Sequence, residues 1–133
     1  MHIVEEIWSE ILKESKNKIS LEPESETLFE KKIFAYDNLQ DSLSAKISVD
    51  LASKEYSKNN LNNKFKEVFS DPVFLERAID DLKAINDRDP ATKGFVFTLL
   101  FSKGFAALQA HRVANHFMLS KHEVFAFFLQ SRS

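Results

Sequence analysis

The sequence has no cysteine, and only two glycines and three prolines among 133 residues. Without cysteine there can be no disulfide framework, cysteine nucleophile, zinc finger or iron–sulfur site. Average usage would give roughly nine glycines. Glycine supplies the positive-φ positions of tight turns and the close backbone approach to phosphates. Its scarcity excludes turn-rich β-sandwiches, β-solenoids, Rossmann folds and P-loops. Long apolar runs are also missing. The most apolar stretch, Phe95 to Leu108, is too short to span a membrane and is interrupted by Lys103. The opening residues Met1 to Glu6 carry acids where a signal peptide carries bases, so a cytoplasmic protein is expected.

What is present fits one helical domain over residues 1–133. Apolar residues make up 44% and charged residues 29%, ordinary globular values that exclude disorder. The formal net charge of −2 is unevenly placed. Beyond Lys93 there is one acid, Glu123, against Lys103, Arg112, Lys121 and Arg132. Four scattered bases do not make the dense basic stripe of a nucleic-acid binder; they read as solvated or interfacial.

Apolar periodicity predicts six to eight helices and no strands. Ile3, Ile7 and Ile11, with Val4, Trp8 and Leu12, form the stripe of a helix reaching about Ile19. Glu22-Pro23 restarts the chain, with proline suited to a first turn. Leu28, Phe29, Ile33, Phe34 and Tyr36 supply the next apolar face. Asp37 or Asn38 can cap a third helix carrying Leu39, Leu43, Ile47 and Leu51 at strict spacing of four.

Lys58-Asn59-Asn60 reads as a polar break before the patch Leu61, Phe65, Val68 and Phe69. Asp71-Pro72 is a helix start, followed by Phe74, Leu75, Ala78, Ile79, Leu82 and Ile85. Asp89-Pro90 repeats that signal. Phe95 to about Leu119 reads as one buried helix in which Gly104 marks a close helix crossing. Ser120 and Glu123 have the spacing of a capping box. The last helix, Glu123 to about Gln130, holds Val124, Phe125, Phe127, Phe128 and Leu129. Burying one phenylalanine contributes about 1.5–3 kcal/mol, so this helix must be covered by its own domain, another subunit or a further domain.

The residues that could carry chemistry are few. His111 and His116 are five apart, whereas zinc-binding helices place two histidines four apart. His122 follows a break, and no acid lies between His111 and His122, so no metal site is expected. Asp87-Arg88-Asp89-Pro90-Ala91 concentrates charge before a proline. Asp89 there either caps a helix starting at Pro90 or holds the ammonium or hydroxyl of a small substrate, and one aspartate does not decide between them.

Several segments resemble the N-terminal helical domain of bacterial serine acetyltransferase. They are Arg88-Asp89-Pro90-Ala91, the run Leu99 to Arg112 with its Lys103-Gly104-Phe105 and Ala110-His111-Arg112, and Phe128-Leu129-Gln130-Ser131-Arg132. Ile7-Trp8, Glu22-Pro23 and Asp71-Pro72 fit as well, so the resemblance spans essentially the whole chain. One departure is His116-Phe117-Met118, in a region where that family often carries tryptophans.

The resemblance implies an enzyme that makes O-acetylserine from L-serine and acetyl-CoA, the first committed step of cysteine synthesis. It implies a helical domain followed by a left-handed β-helix of hexapeptide repeats, with two trimers joined through the helical domains into a homo-hexamer. Asp89 would contact serine and Pro90 would line the pocket. Acetyl-CoA, a co-substrate, and the histidine base belong to the β-helix, which is absent here. No catalytic, cofactor-binding or metal-binding residue is therefore expected in these 133 residues, and the chain alone is expected to be inactive. The alternative is a non-catalytic helical oligomerisation module, self-associating through its apolar surfaces.

Overall fold

The computed structural model describes residues 2–88 and 94–132. Helix α1 spans His2–Leu21. After Glu22 comes one 3-10 turn, Pro23–Ser25, with the proline in its first turn. A single α-turn, α2 (Glu26–Phe29), runs on into five residues wound as π-helix, Glu30–Phe34. Then follow α3 (Leu39–Leu51), α4 (Lys58–Phe69), α5 (Pro72–Arg88), α6 (Phe95–Phe101), α7 (Lys103–Leu119) and α8 (Glu123–Arg132). No strand occurs among the described residues, so the expected all-α class is observed.

The apolar ladders behave as their spacing predicts. Val4, Ile7, Trp8 and Ile11 of α1 are buried. So are Leu39, Leu43, Ile47 and Leu51 of α3; Leu61, Phe65, Val68 and Phe69 of α4; and Leu75, Ala78, Ile79 and Leu82 of α5. Together they make one continuous core. Helix α1 lies across α3, α5 and α6, while α3–α4 and α7–α8 pair closely. Helix α3 also buries Ser42, Ser44 and Ser48, whose small side chains let a second face of this helix enter the core. Ser48 Oγ donates to Ser44 O at 2.6 Å, and Ser42 Oγ to Lys32 O at 2.9 Å, whereas Ser44 Oγ is buried without a hydrogen-bond partner.

Helix starts follow capping chemistry. Asn38 Oδ1 accepts from Asp41 N–H at 2.9 Å, and Asp71 Oδ1 from Val73 N–H at 3.0 Å ahead of Pro72. Three local expectations are corrected. Lys58-Asn59-Asn60 is the first turn of α4, not a break; Ser57 caps it by accepting from Asn60 N–H. The stretch from Phe95 to Leu119 is two helices. Ser102, extended at φ −77° and ψ 111°, interrupts it and caps α7 by accepting from Phe105 N–H at 3.0 Å. Gly104 sits in that exposed first turn; an added Cβ would meet only Ser102 Oγ at 3.9 Å, so no close helix crossing requires it.

The α7–α8 turn is also built differently from the expected capping box. Lys121 takes φ +66°, its N–H bonds Met118 O, and His122 N–H bonds Phe117 O at 2.8 Å. That is a Schellman closure with lysine where glycine is usual. Ser120 closes α7, donating from Oγ to Phe117 O.

The terminal helix α8 is covered by its own domain on one side only. Phe125, Ala126 and Leu129 are buried, and Tyr56 packs on Phe125 and Phe128. Val124 stays 77% exposed and Phe127 57% exposed. Arg132 donates to Leu51 O and Ala52 O, taking up carbonyls at the end of α3 and pinning α8 there.

Candidate functional site

Asp89 and Pro90, the two residues singled out for substrate contact, lie outside the described residues. Arg88 and Gly94, the residues on either side, are described. On the entering side, α5 runs to Arg88, whose Nε donates to Ala84 O at 3.1 Å in the last turn. On the leaving side stands Gly94, followed by α6.

Gly94 adopts φ +107° and ψ 174°, a conformation open to glycine and strained for any other residue. As the N-cap of α6 it offers no side chain to the helix's first N–H groups. Those groups are satisfied from α1 instead. Glu14 Oε2 accepts from Phe95 N–H at 3.2 Å, and Oε1 from Val96 N–H at 2.9 Å. The carboxylate lies so close that a Cβ on residue 94 would sit 2.6 Å from Oε2. Charge and geometry agree here, because a carboxylate at a helix N-terminus meets both orphan donors and the positive end of the helix dipole.

A second tie fixes α5 against α7. Asp81 Oδ2 accepts from Arg112 Nε at 2.8 Å and Oδ1 from Arg112 Nη2 at 2.9 Å, a two-pronged pair. Gln109, fully buried, adds a third donor, Nε2, to Asp81 Oδ2 at 2.8 Å. Its hydrogen bond to the Asp81 carboxylate raises the Arg112 guanidinium pKa above its ordinary value, against the lowering effect of burial. Two of the four bases read as solvated or interfacial are thus internal fasteners: Arg112 to α5 and Arg132 to α3.

Two of the histidines, His116 and His122, sit in local packing contacts. His116 lies edge-on between Phe74 and Phe117, at centroid distances of 5.3 and 5.1 Å. It therefore occupies an aromatic slot. His122 Nδ1 lies 3.2 Å from Ser120 Oγ. Among the described residues no three His, Asp or Glu side chains gather as a metal-binding group.

The sequence reading did not pick out Glu14, Asp81 or Gln109. Glu14 sits 81 residues before Phe95, and Asp81 sits 31 residues before Arg112, beyond the reach of any local pattern. The only signal lay in Gln109 and Arg112, which fall three apart on the apolar α7 and so share a face.

The described residues form an all-helical domain tied together by the Glu14–α6 and Asp81–Arg112 contacts. A family model described as "Serine acetyltransferase, N-terminal" matches residues 7–110. The chain belongs to the serine acetyltransferase N-terminal family. It is 32% identical over 130 residues to the mitochondrial serine acetyltransferase 3 of Arabidopsis thaliana, covering 97% of this chain and 33% of that protein. To the serine acetyltransferase of Escherichia coli K12 it is 28% identical, covering 97% of this chain and 48% of the relative.

Among solved structures, soybean serine acetyltransferase complexed with serine superposes at a TM-score of 0.87 with 33% identity, covering 95% of this chain and 52% of that one. The Neisseria gonorrhoeae serine acetyltransferase in complex with serine matches at 0.86 with 30% identity, covering 95% and 53%. The chain therefore spans about a third to a half of the length of the curated relatives it matches. Among the described residues no helix is long and apolar enough to cross a membrane.

Proposed function

We propose that residues 1–133 act as the helical domain of a serine O-acetyltransferase, which moves the acetyl group of acetyl-CoA onto the hydroxyl of L-serine. The observation that carries this reading is the superposition of nearly the whole chain, at a TM-score of 0.87, on a serine acetyltransferase complexed with serine. In this reading Asp89 holds serine and Pro90 lines its pocket. Asp89 contributes orientation and not proton transfer. The base that takes the hydroxyl proton, and the groups that hold acetyl-CoA, are supplied by a β-helix domain. These 133 residues bind no cofactor and no metal. We place the enzyme in the cytoplasm.

The test is release of CoA from acetyl-CoA by the complete subunit, followed with a thiol reagent. Release that depends on L-serine is the expected result, and the 133-residue chain alone is expected to release none. No serine-dependent release from the complete subunit would refute the reading.

A second role, assembly, is favoured by exposed apolar side chains on α6 and α8: Phe101, Val124 and Phe127. We propose that this domain joins identical subunits into the hexamer that the resemblance implies. Serine-dependent turnover separates an acetyltransferase from a helical module that only assembles.

A further inference from the structure

We propose that the cleft lined by α3, the start of α7 and the end of α8 binds a small amphiphilic anion: a carboxylate or phosphate head on a short apolar chain. The proposal does not depend on the acetyltransferase reading and uses none of the residues assigned to serine.

The cleft holds about 530 Å3, a size usual for small-molecule sites. Three bases converge on it from three helices: Lys46 of α3, Lys103 of α7 and Arg132 of α8. Asp50 is the one acid in its lining among the described residues. This local surplus of positive charge stands against a net −2 for the whole chain.

The partners of these groups decide what the cleft lacks. Lys46 and Asp50 pair with each other, one turn apart on α3, so the acid is already engaged. Arg132 donates Nε and Nη2 to the carbonyls of Leu51 and Ala52. Those acceptors are neutral, so they fix the guanidinium in place without cancelling its charge. Lys103 makes no ion pair among the described residues. Two cations, one of them held in place, thus share a cleft without a countercharge, and an anionic ligand supplies it.

The remaining lining says what the anion is attached to. Leu51 and Leu100 are buried, Ala106 and Ala107 are half-buried along α7, and Phe101 stands 57% exposed. A bare inorganic anion would leave this apolar wall in water, whereas a short alkyl chain covers it. The excess of bases beyond Lys93 therefore has a physical use in part: Lys103 and Arg132 meet here, and only the folded chain brings Lys46 to them.

The experiment titrates the 133-residue chain with hexanoate and with hexyl phosphate, followed by amide chemical shifts. Hexanol supplies the apolar chain without charge, inorganic phosphate the charge without the chain, and hexylammonium the opposite charge. We expect at least one of the two amphiphilic anions to bind with a Kd of about 1–10 mM, the scale open to so small a ligand. The shifts should centre on Leu51, Lys103 and Ala106. Hexanol and inorganic phosphate should bind at least about tenfold more weakly, and hexylammonium not at all. The tighter of the two anions names the head group. Lys103 is exposed, so its substitution leaves the core intact. Lys103→Gln should weaken binding about tenfold and Lys103→Glu should abolish it, while Lys121→Gln, outside the cleft, leaves it unchanged.

Hexanol binding as tightly as the anions would overturn the proposal, because the cleft would then select no charge. Inorganic phosphate binding as tightly as hexyl phosphate would overturn it too, because the apolar wall would have no part. Unaltered affinity in Lys103→Glu, or shifts scattered over the surface, would place any binding elsewhere and contradict it equally. If Lys103→Glu does not fold, Lys103→Gln decides by the same titration.

Discussion

Gly94 and Glu14 occupy each other's space: a methyl group on residue 94 would sit 2.6 Å from the Glu14 carboxylate oxygen that caps the next helix. The other glycine, Gly104, lies in the first turn of α7, where an added Cβ would make only an ordinary contact with Ser102 Oγ at 3.9 Å. The same substitution should therefore act with opposite sign at the two positions. Gly94→Ala should lower the free energy of unfolding by about 2–3 kcal/mol, combining positive-φ strain with displacement of Glu14. Gly104→Ala should raise it by about 0.5–1 kcal/mol, because alanine favours the helix. Urea denaturation of the three proteins measures both.

The Asp81–Arg112 pair links α5 to α7 with two short hydrogen bonds and little exposure of the carboxylate. Removing one partner of such a pair leaves the other uncompensated. Asp81→Ala should cost about 2–3 kcal/mol. Arg112→Lys should also destabilise, by about 1–2 kcal/mol, since an ammonium cannot make the forked contact. The raised Arg112 value means that this guanidinium keeps its charge more firmly in the folded state, so its contribution is complete below its unfolded value and is lost only as pH rises through the folded one. Thermal unfolding from pH 6 to 9 should therefore show no change in the effect of Arg112→Lys.

Lys121 holds a left-handed conformation in the α7–α8 turn, a position where glycine carries no steric penalty. Lys121→Gly should stabilise the protein by about 1 kcal/mol, offset in part by the added freedom of the unfolded chain. The shift in melting temperature is the readout, and a lower temperature would speak against the left-handed turn.

Val124 and Phe127 remain on the surface of α8 after its other side is buried. Groups of exposed apolar side chains mark contact surfaces. Sedimentation equilibrium at tens of micromolar should give a weight-average mass above the 15.3 kDa of one chain, and Phe127→Asp should lower it toward that value. A monomer under both conditions would remove the assembly role.

The helices and most of their buried faces were legible because local rules set them. The leucine and isoleucine ladder of α3, the Asn38 cap and the Asp71-Pro72 start all depend on residues within a turn or two of one another. Ser102 was hidden because apolar residues on both sides keep the helical rhythm going across it, and only its hydroxyl on Phe105 N–H marks the break. Ser57 was hidden by the polar asparagines that follow it. Glu14 and Asp81 were not legible at all. Each looks like one more surface acid on its helix, and its partner is brought to it only by the folded chain. The proposed serine contact, Asp89-Pro90, rests on resemblance to a family, since one aspartate before a proline serves equally well as a helix cap.

The reading of Asp89 as the group that holds serine can be tested most directly by steady-state kinetics of Asp89→Asn in the complete enzyme, with serine and acetyl-CoA varied in turn. Losing a hydrogen bond to a charged partner costs about 1.5–3 kcal/mol, or about tenfold or more in affinity. The account predicts a serine KM raised at least about tenfold with the acetyl-CoA KM unchanged. A serine KM and turnover equal to those of the unaltered enzyme would contradict it.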